Sequence, residues 1–386
     1  MASLVTDTAE HRVIRETVAK IADKYGPQYF TERGRAGEDV GELWSELGEA
    51  GLLGVHLPEA HGGGGCGMAE AVVVVEELAA HGMPLLLWVI SPAICGSILA
   101  HHASDALKEK WLPALADGSR RMAFGLTEPD AGSNSHQLST TARRTEDGWV
   151  ISGAKYYISA VDQADAILLA TRDAELSTGD KGRLSLFVVP TDAPGLTYRQ
   201  IDTSIVSPDR QFTVFLDDVH VGPEALVGQA GQGLRQLFDG LNPERILVGA
   251  LCSGIGRYAL QKAAEYARER QVWSVPIGAH QGVSHPLAAC HIDVELGRLA
   301  TYRSAELFDA GVPAGEAANI AKYAASEAAL KALDQSIQTH GGNGMAHEYG
   351  LSDLWFVTRL MRTAPVSREM VLNFVAQTSL GLPRSY

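Results

Sequence analysis

Eleven residues, Phe124-Gly-Leu-Thr-Glu-Pro-Asp-Ala-Gly-Ser-Asn134, set small hydroxyls, a turn-fixing proline and a glycine where a strand would end. Thr127 and Ser133 can each donate or accept a hydrogen bond, Gly132 permits close approach or a positive φ, and Pro129 fixes the direction in which the chain leaves. Such a segment can offer hydroxyls and backbone N–H groups to a polar ligand, and the same residue types also make ordinary surface turns. A second run, Gly341-Gly-Asn-Gly344, could lend N–H groups to an anion or cap a helix. His61-Gly-Gly-Gly-Gly65 opens no strand-to-helix phosphate motif and reads as a turn between helices. Cys66, Cys95, Cys252 and Cys290 show no Cys-x-x-Cys spacing and lie in apolar, helix-like contexts, as reduced core thiols do, so no metal site is expected.

Those residues need elements to hold them. From about residue 5 to 118 apolar side chains recur at helical spacing, as in Leu43, Leu47, Leu52 and Leu53, which predicts helices over 9–25, 40–50, 68–81, 86–101 and 106–116. From about 121 to 222 the period shortens. Trp149-Val-Ile-Ser, Tyr156-Tyr-Ile-Ser, Ala166-Ile-Leu-Leu-Ala, Leu184-Ser-Leu-Phe-Val-Val and Phe212-Thr-Val-Phe-Leu are β-branched or aromatic runs bounded by Gly, Asp and Pro. Helices return over 243–272, 285–311 and 314–340, long and closely connected, as in an antiparallel bundle. The expected architecture is α+β: an N-terminal helical domain over 1–120, a small β domain over 121–230 and a C-terminal four-helix bundle over 231–386. A chain of 386 residues exceeds one ordinary core, which agrees with two or three packed subdomains.

The 32 basic and 46 acidic residues give a net charge of −14, which disfavours nonspecific binding to nucleic acid or an anionic membrane and obliges a polyanionic ligand to find a local basic patch. Asp7, Glu10 and Arg12 stand where an export signal would need an apolar core, and the longest apolar run, 84–100, is broken by Ser91-Pro92 and Gly96. A cytoplasmic chain with no membrane span is expected.

The order Leu-Thr-Glu-Pro-Asp-Ala-Gly-Ser-Asn resembles the flavin loop of the acyl-CoA dehydrogenase family, Thr-Glu-Pro-x-Ala-Gly-Ser-Asp, and Gly153-Ala-Lys-Tyr-Tyr-Ile-Ser159 resembles the strand that follows it. The likeness runs over nearly the whole chain. It implies FAD, with Phe124, Leu126, Thr127, Gly132, Ser133, Tyr157 and Ser159 around the isoalloxazine. In that likeness the Ser159 hydroxyl hydrogen-bonds the flavin N5, and Tyr157 replaces the usual Trp over one ring face. The adenine half would be held across a dimer interface by Arg270, by His280-Gln281 and by Gln338-Thr-His-Gly-Gly-Asn-Gly344 with Gly341 and Gly342, and Ser367 and Glu369 would complete the cofactor contacts. Arg270 can pair with pyrophosphate, and the glycines let N–H groups reach it. Val272 stands where a Thr is usual and Glu369 where a Gln is usual, and a carboxylate near the diphosphate is repulsive unless turned away or protonated.

The reaction implied is loss of the α-proton of an acyl-CoA thioester with transfer of the β-hydrogen as hydride to FAD, giving the trans-2-enoyl-CoA, with electrons passed to an electron-transfer flavoprotein. In most members the base is the glutamate of a Tyr-Glu-Gly-Thr segment, whose place here is Pro365. Members such as isovaleryl-CoA and long-chain acyl-CoA dehydrogenases carry the base instead on a long helix, directly before an Arg, where this chain has Asn242-Pro-Glu-Arg-Ile246. Glu244 is the expected base, with Ser133, Asn242, Arg245 and Val366 as substrate contacts. Read alone, Asn-Pro-Glu is also how a helix starts: N-cap, N1 and an acidic first turn. Proline at 365 has no N–H to polarise the thioester carbonyl. Losing one such donor costs on the order of 10²–10³ in rate, so Val366 or a ribityl hydroxyl of the flavin must serve. The same proline leaves two alternatives: a flavin-binding partner subunit of a mixed tetramer, or a flavin monooxygenase or oxidase on this fold. A homo-oligomer, as a dimer of dimers, or a mixed tetramer is the expected assembly.

Overall fold

The computed structural model describes residues 4–134, 137–177 and 182–384. The N-terminal helices are α1 (Ala9–Ala36), α2 (Gly41–Glu49) and α3 (Met68–Ala80), followed by one helical path in three parts and then α6 (Asp105–Ala116). That path is α4 (Leu86–Trp88), a π-helical turn over Val89–Gly96 that contains Pro92, and α5 (Ser97–His102). Helix α1 starts where the Thr8 hydroxyl accepts from the His11 N–H at 3.0 Å, and it runs past the expected end at Tyr25. Gly26, at φ 77°, kinks it, and Pro27 restarts the helix.

Eight strands among the described residues form one sheet in the order β6-β7-β3-β2-β4-β5-β8, with β1 (Met122–Gly125) parallel to β4 (Ala166–Asp173). The others are β2 (Thr141–Thr145), β3 (Gly148–Ser159), β5 (Leu184–Pro190), β6 (Leu196–Gln200), β7 (Gln211–Val221) and β8 (Leu226–Val227). Two expected strands, at Trp149 and Tyr156, are one strand, β3. Register shifts against β7 between Ile151 and Gly153 and between Lys155 and Ile158 interrupt its alternation and made it read as two. Strands β2 and β6 are short and polar, Thr-Ala-Arg-Arg-Thr and Leu-Thr-Tyr-Arg-Gln, and so gave no apolar signal.

Helix α7 (Gly233–Glu269) then crosses the molecule, followed by a hairpin of β9 (Gln271–Val272) and β10 (Val275–Pro276), by α8 (Gln281–Asp309), α9 (Gly315–His340), α10 (Trp355–Leu360) and α11 (Arg368–Thr378). The start expected at Pro243 is wrong. No side-chain cap marks Gly233, so the true beginning had no sequence signature, and Pro243 lies buried inside the helix. The core holds Ile246, Leu247, Ala250, Leu251 and Ile255 of α7 against Val72–Val75 of α3. Beside them the buried Glu76 of α3 takes Arg15 of α1 and Arg257 of α7, each at 3.3 Å, together with Arg298 and the Tyr302 hydroxyl of α8, the latter at 2.6 Å. One carboxylate thus joins four helices. No helix among the described residues is long and apolar enough to cross a membrane, and they hold no His, Cys, Asp or Glu grouping fit for a metal.

Candidate active site

Two adjoining cavities, about 130 and 350 Å³, lie where the β domain, α7 and the segment before α11 meet. Leu126, Thr127, Leu241, Glu244 and Pro365 line both. The smaller adds Phe124, Tyr157, Ile158 and Ser159 from the sheet and Ile90 and Ile94 from the π-helical turn. The larger adds Gly132, Ser133, Phe238, Arg245, Val366 and Ser367. The expected isoalloxazine, base and substrate residues therefore converge, apart from Asn242, whose side-chain oxygen accepts a hydrogen bond from Arg245. Gly132 has neither a positive φ nor a crowded Cβ position, so a ligand is free to approach it.

The two motifs are locked together from inside. Glu128 of the first and Lys155 of the second form a buried ion pair at 2.8 Å. The Lys155 ammonium also donates to the Leu126 carbonyl at 3.0 Å, and Glu128 accepts from the N–H and hydroxyl of Ser139 at 2.6 and 2.7 Å and from the Thr140 N–H at 3.0 Å. Burial opposes ionisation of Glu128, but the Lys155 charge and these hydrogen bonds outweigh it and hold its pKa at about 2. Sequence reading passed over this pair, although an acid in one motif and a base in the other, among otherwise uncharged strand residues, were its signal. Beyond Lys155 the bulge places Tyr157 at φ 56° with 53% of its surface exposed and its ring edge-on to Tyr156 at 4.4 Å. Gly153 is needed upstream, since a Cβ there would sit 2.6 Å from the Thr140 Cα. Ser159 pairs with the amide of Gln211, opposite it on β7, which donates to the Ser159 hydroxyl at 2.9 Å.

Glu244 projects from the first third of α7, about three turns beyond the helix start. Helix initiation therefore does not explain it. Burial pushes its carboxyl up to about 8, while Arg245 and Lys322 pull the other way. Arg245 spends its donors on neutral oxygens: the Leu241 carbonyl at 3.0 Å, Asn242 Oδ1 at 2.8 Å and Asn319 Oδ1 at 2.8 Å. Opposite, Lys322 of α9, 1% exposed, donates to the Val366 carbonyl at 2.6 Å. Lys322 was missed, yet it sits among Ala318, Ala321 and Ala325 on the buried stripe of α9, where a charge is out of place. On the far side, Gly240 lets α7 approach the turn so closely that a Cβ would stand 2.7 Å from Ile98 Cδ1 and 3.0 Å from Ile94 Cγ2.

The residues expected at the adenine half lie elsewhere. Arg270 follows α7, His280 precedes α8, Gln281 opens it, Gln338 is in the last turn of α9, and Gly341 (φ 60°) and Gly342 follow it. All are exposed, and none lines the two cavities. Ser367 caps α11, its hydroxyl accepting from the Met370 N–H at 3.3 Å, while Glu369 is exposed in the first turn beside Arg368.

Three family models match in succession: the acyl-CoA dehydrogenase N-terminal domain over residues 8–119, the middle domain over 123–219 and the C-terminal domain over 231–380. The chain is 55% identical over 389 aligned residues to acyl-CoA dehydrogenase FadE12 of Mycobacterium tuberculosis, covering 99% of this chain and 100% of that one. It superposes on the butyryl-CoA dehydrogenase of Megasphaera elsdenii with a TM-score of 0.91 at 27% identity, covering 98% and 100% of the two chains. A glutaryl-CoA dehydrogenase of Mycobacterium smegmatis in complex with FADH2 shares the fold, with a TM-score of 0.91 at 24% identity over 98% and 96% of the chains.

Proposed function

The chain belongs to the acyl-CoA dehydrogenase family, an FAD-dependent one, and we propose that within it Glu244 removes the α-proton of an acyl-CoA thioester. The observation that carries this reading is the make-up of the cavity walls. Among the described residues lining them Glu244 has the one carboxylate, and Pro365 stands in the wall at the place where most relatives would carry the base. A carboxyl raised towards working pH is suited to accept a proton and give it up again.

The walls fit FAD. Phe124, Leu126 and Ile158 are apolar, Thr127 and Ser159 bring hydroxyls, and open space lies over Gly132. When bound, FAD supplies the acceptor for the β-hydride. Ser133, Arg245 and Val366 border the larger cavity and are the proposed substrate contacts, with Asn242 orienting Arg245 through their 2.8 Å hydrogen bond. With Pro365 lacking an N–H, the neighbouring Val366 is the proposed donor to the thioester carbonyl. Arg270, His280, Gln281, Gln338, Gly341, Gly342 and Glu369 are proposed to serve the adenine half of a neighbouring subunit's cofactor, and an electron-transfer flavoprotein is the proposed electron acceptor.

The test is anaerobic flavin bleaching by acyl-CoA thioesters. Glu244→Gln should retain FAD and ligand affinity while flavin reduction falls by at least ~10²-fold, the scale of losing a general base. Reduction at the wild-type rate would remove Glu244 from the chemistry. Bleaching absent from the wild type as well would favour a partner subunit, and bleaching only with an added reductant a monooxygenase.

A further inference from the structure

We propose that Lys322 is a positioning residue for Glu244: from beneath the cavity wall its ammonium clamps the 363–367 segment that borders Glu244, and its charge eases proton loss from that carboxyl. The inference rests on Glu244 being the base.

The clamp is direct. Nζ donates to the Val366 carbonyl at 2.6 Å, and Val366 adjoins Pro365 in the wall facing Glu244. A neutral donor would serve the carbonyl as well, whereas a buried ammonium carries a desolvation cost that only an opposing charge offsets. The available charges can be followed one by one. Glu327, also on α9, is taken by Arg362 at 2.7 Å and Arg368 at 3.1 Å. Glu369, at the start of α11, is exposed beside Arg368. Cys252 of α7 keeps its thiol neutral, burial pushing it up to about 12. Glu244, which lines the same cavity as Val366, is the remaining carboxylate whose charge acts on Lys322.

The same holds from the other side. The groups facing Glu244 are Arg245 on its own helix, Lys322 from α9 and Cys95 from the π-helical turn. Burial pushes the Cys95 thiol well up, so it stays neutral, and Arg245 is engaged by Leu241, Asn242 and Asn319. Burial brings the two groups towards each other, Glu244 up to about 8 and Lys322 down to about 8. Below that pH Lys322 is charged, and its field favours proton loss from Glu244.

Two variants separate the charge from the clamp. Lys322→Gln keeps a donor for Val366 and loses the charge, and Lys322→Met loses both. In the FAD-loaded enzyme, flavin reduction by excess acyl-CoA is followed against pH, with flavin content and Tm as controls. In Lys322→Gln the midpoint should rise by about one unit, with the rate near pH 7 down about tenfold and the plateau at high pH retained. Lys322→Met should show the same shift and a raised KM as well. An unmoved midpoint in Lys322→Gln overturns the proposal. Should the glutamine variant lose its flavin, Lys322→Arg decides: a wild-type midpoint supports the role of the charge and a raised one overturns it. Glu244→Gln distinguishes the two readings. Full activity there defeats the base itself, whereas loss of activity there with an unmoved Lys322→Gln profile defeats only this inference.

Discussion

A base must be ionised to take a proton, and Glu244 lies on the unfavourable side of neutrality. With its carboxyl at about 8, most of it is protonated at pH 7 in the ligand-free protein, so activity on dilute substrate should climb as pH rises through that value and level off above it. Stopped-flow flavin reduction between about pH 6 and 9 measures this, and a flat profile over that range would place the base elsewhere. Glu244 was legible as a candidate because it stands before an Arg in a spacing that resembles known relatives. The competing helix-start reading was defeated only by seeing Gly233 open α7. The bond that Lys322 makes was illegible for a different reason. Its partner, the Val366 carbonyl, is a backbone atom 44 residues away, and no residue type announces such a bond.

At the scale of elements, the loop after β1 is held to β3 through Glu128 and Lys155. Removing one partner leaves the other charge buried and unpaired. Lys155→Met should therefore cost about 3–5 kcal/mol in denaturant unfolding, and adding Glu128→Gln should recover most of it. The acid limb has a definite sign. Glu128 has a folded pKa of about 2, below its unfolded value of about 4.3, so its contribution is complete above the latter and is lost as pH falls towards 2. Most helices and the long strands were readable from period alone. The π-helical turn was not, because the residues flanking Ser91-Pro92 are apolar on every side and their pattern holds no phase to betray one residue too many per turn. The bulge at Tyr157 was hidden likewise, since Tyr-Tyr-Ile suits a regular strand as well as a kinked one.

For the whole molecule, the proposed role of the exposed set around Arg270, at the adenine half of a neighbouring copy's FAD, makes assembly the thing to test. Light scattering should find a dimer or dimer of dimers, and Arg270→Ala should weaken FAD binding at least about tenfold by titration of the apoprotein, the scale of losing a charge-assisted hydrogen bond. A monomer with stoichiometric flavin would contradict both expectations. The knot at Glu76 bears on how the chain comes into being. Its Arg298 partner is 222 residues further along. At roughly 5–20 residues per second a ribosome needs on the order of 10–45 s to bring out that arginine after Glu76 has emerged. Until then α3 carries a charge that belongs in the interior with only Arg15, and later Arg257, to answer it. The first helices to be made are thus among the last to reach their final packing, and the nascent N-terminal third depends on the far end of its own chain to become buried.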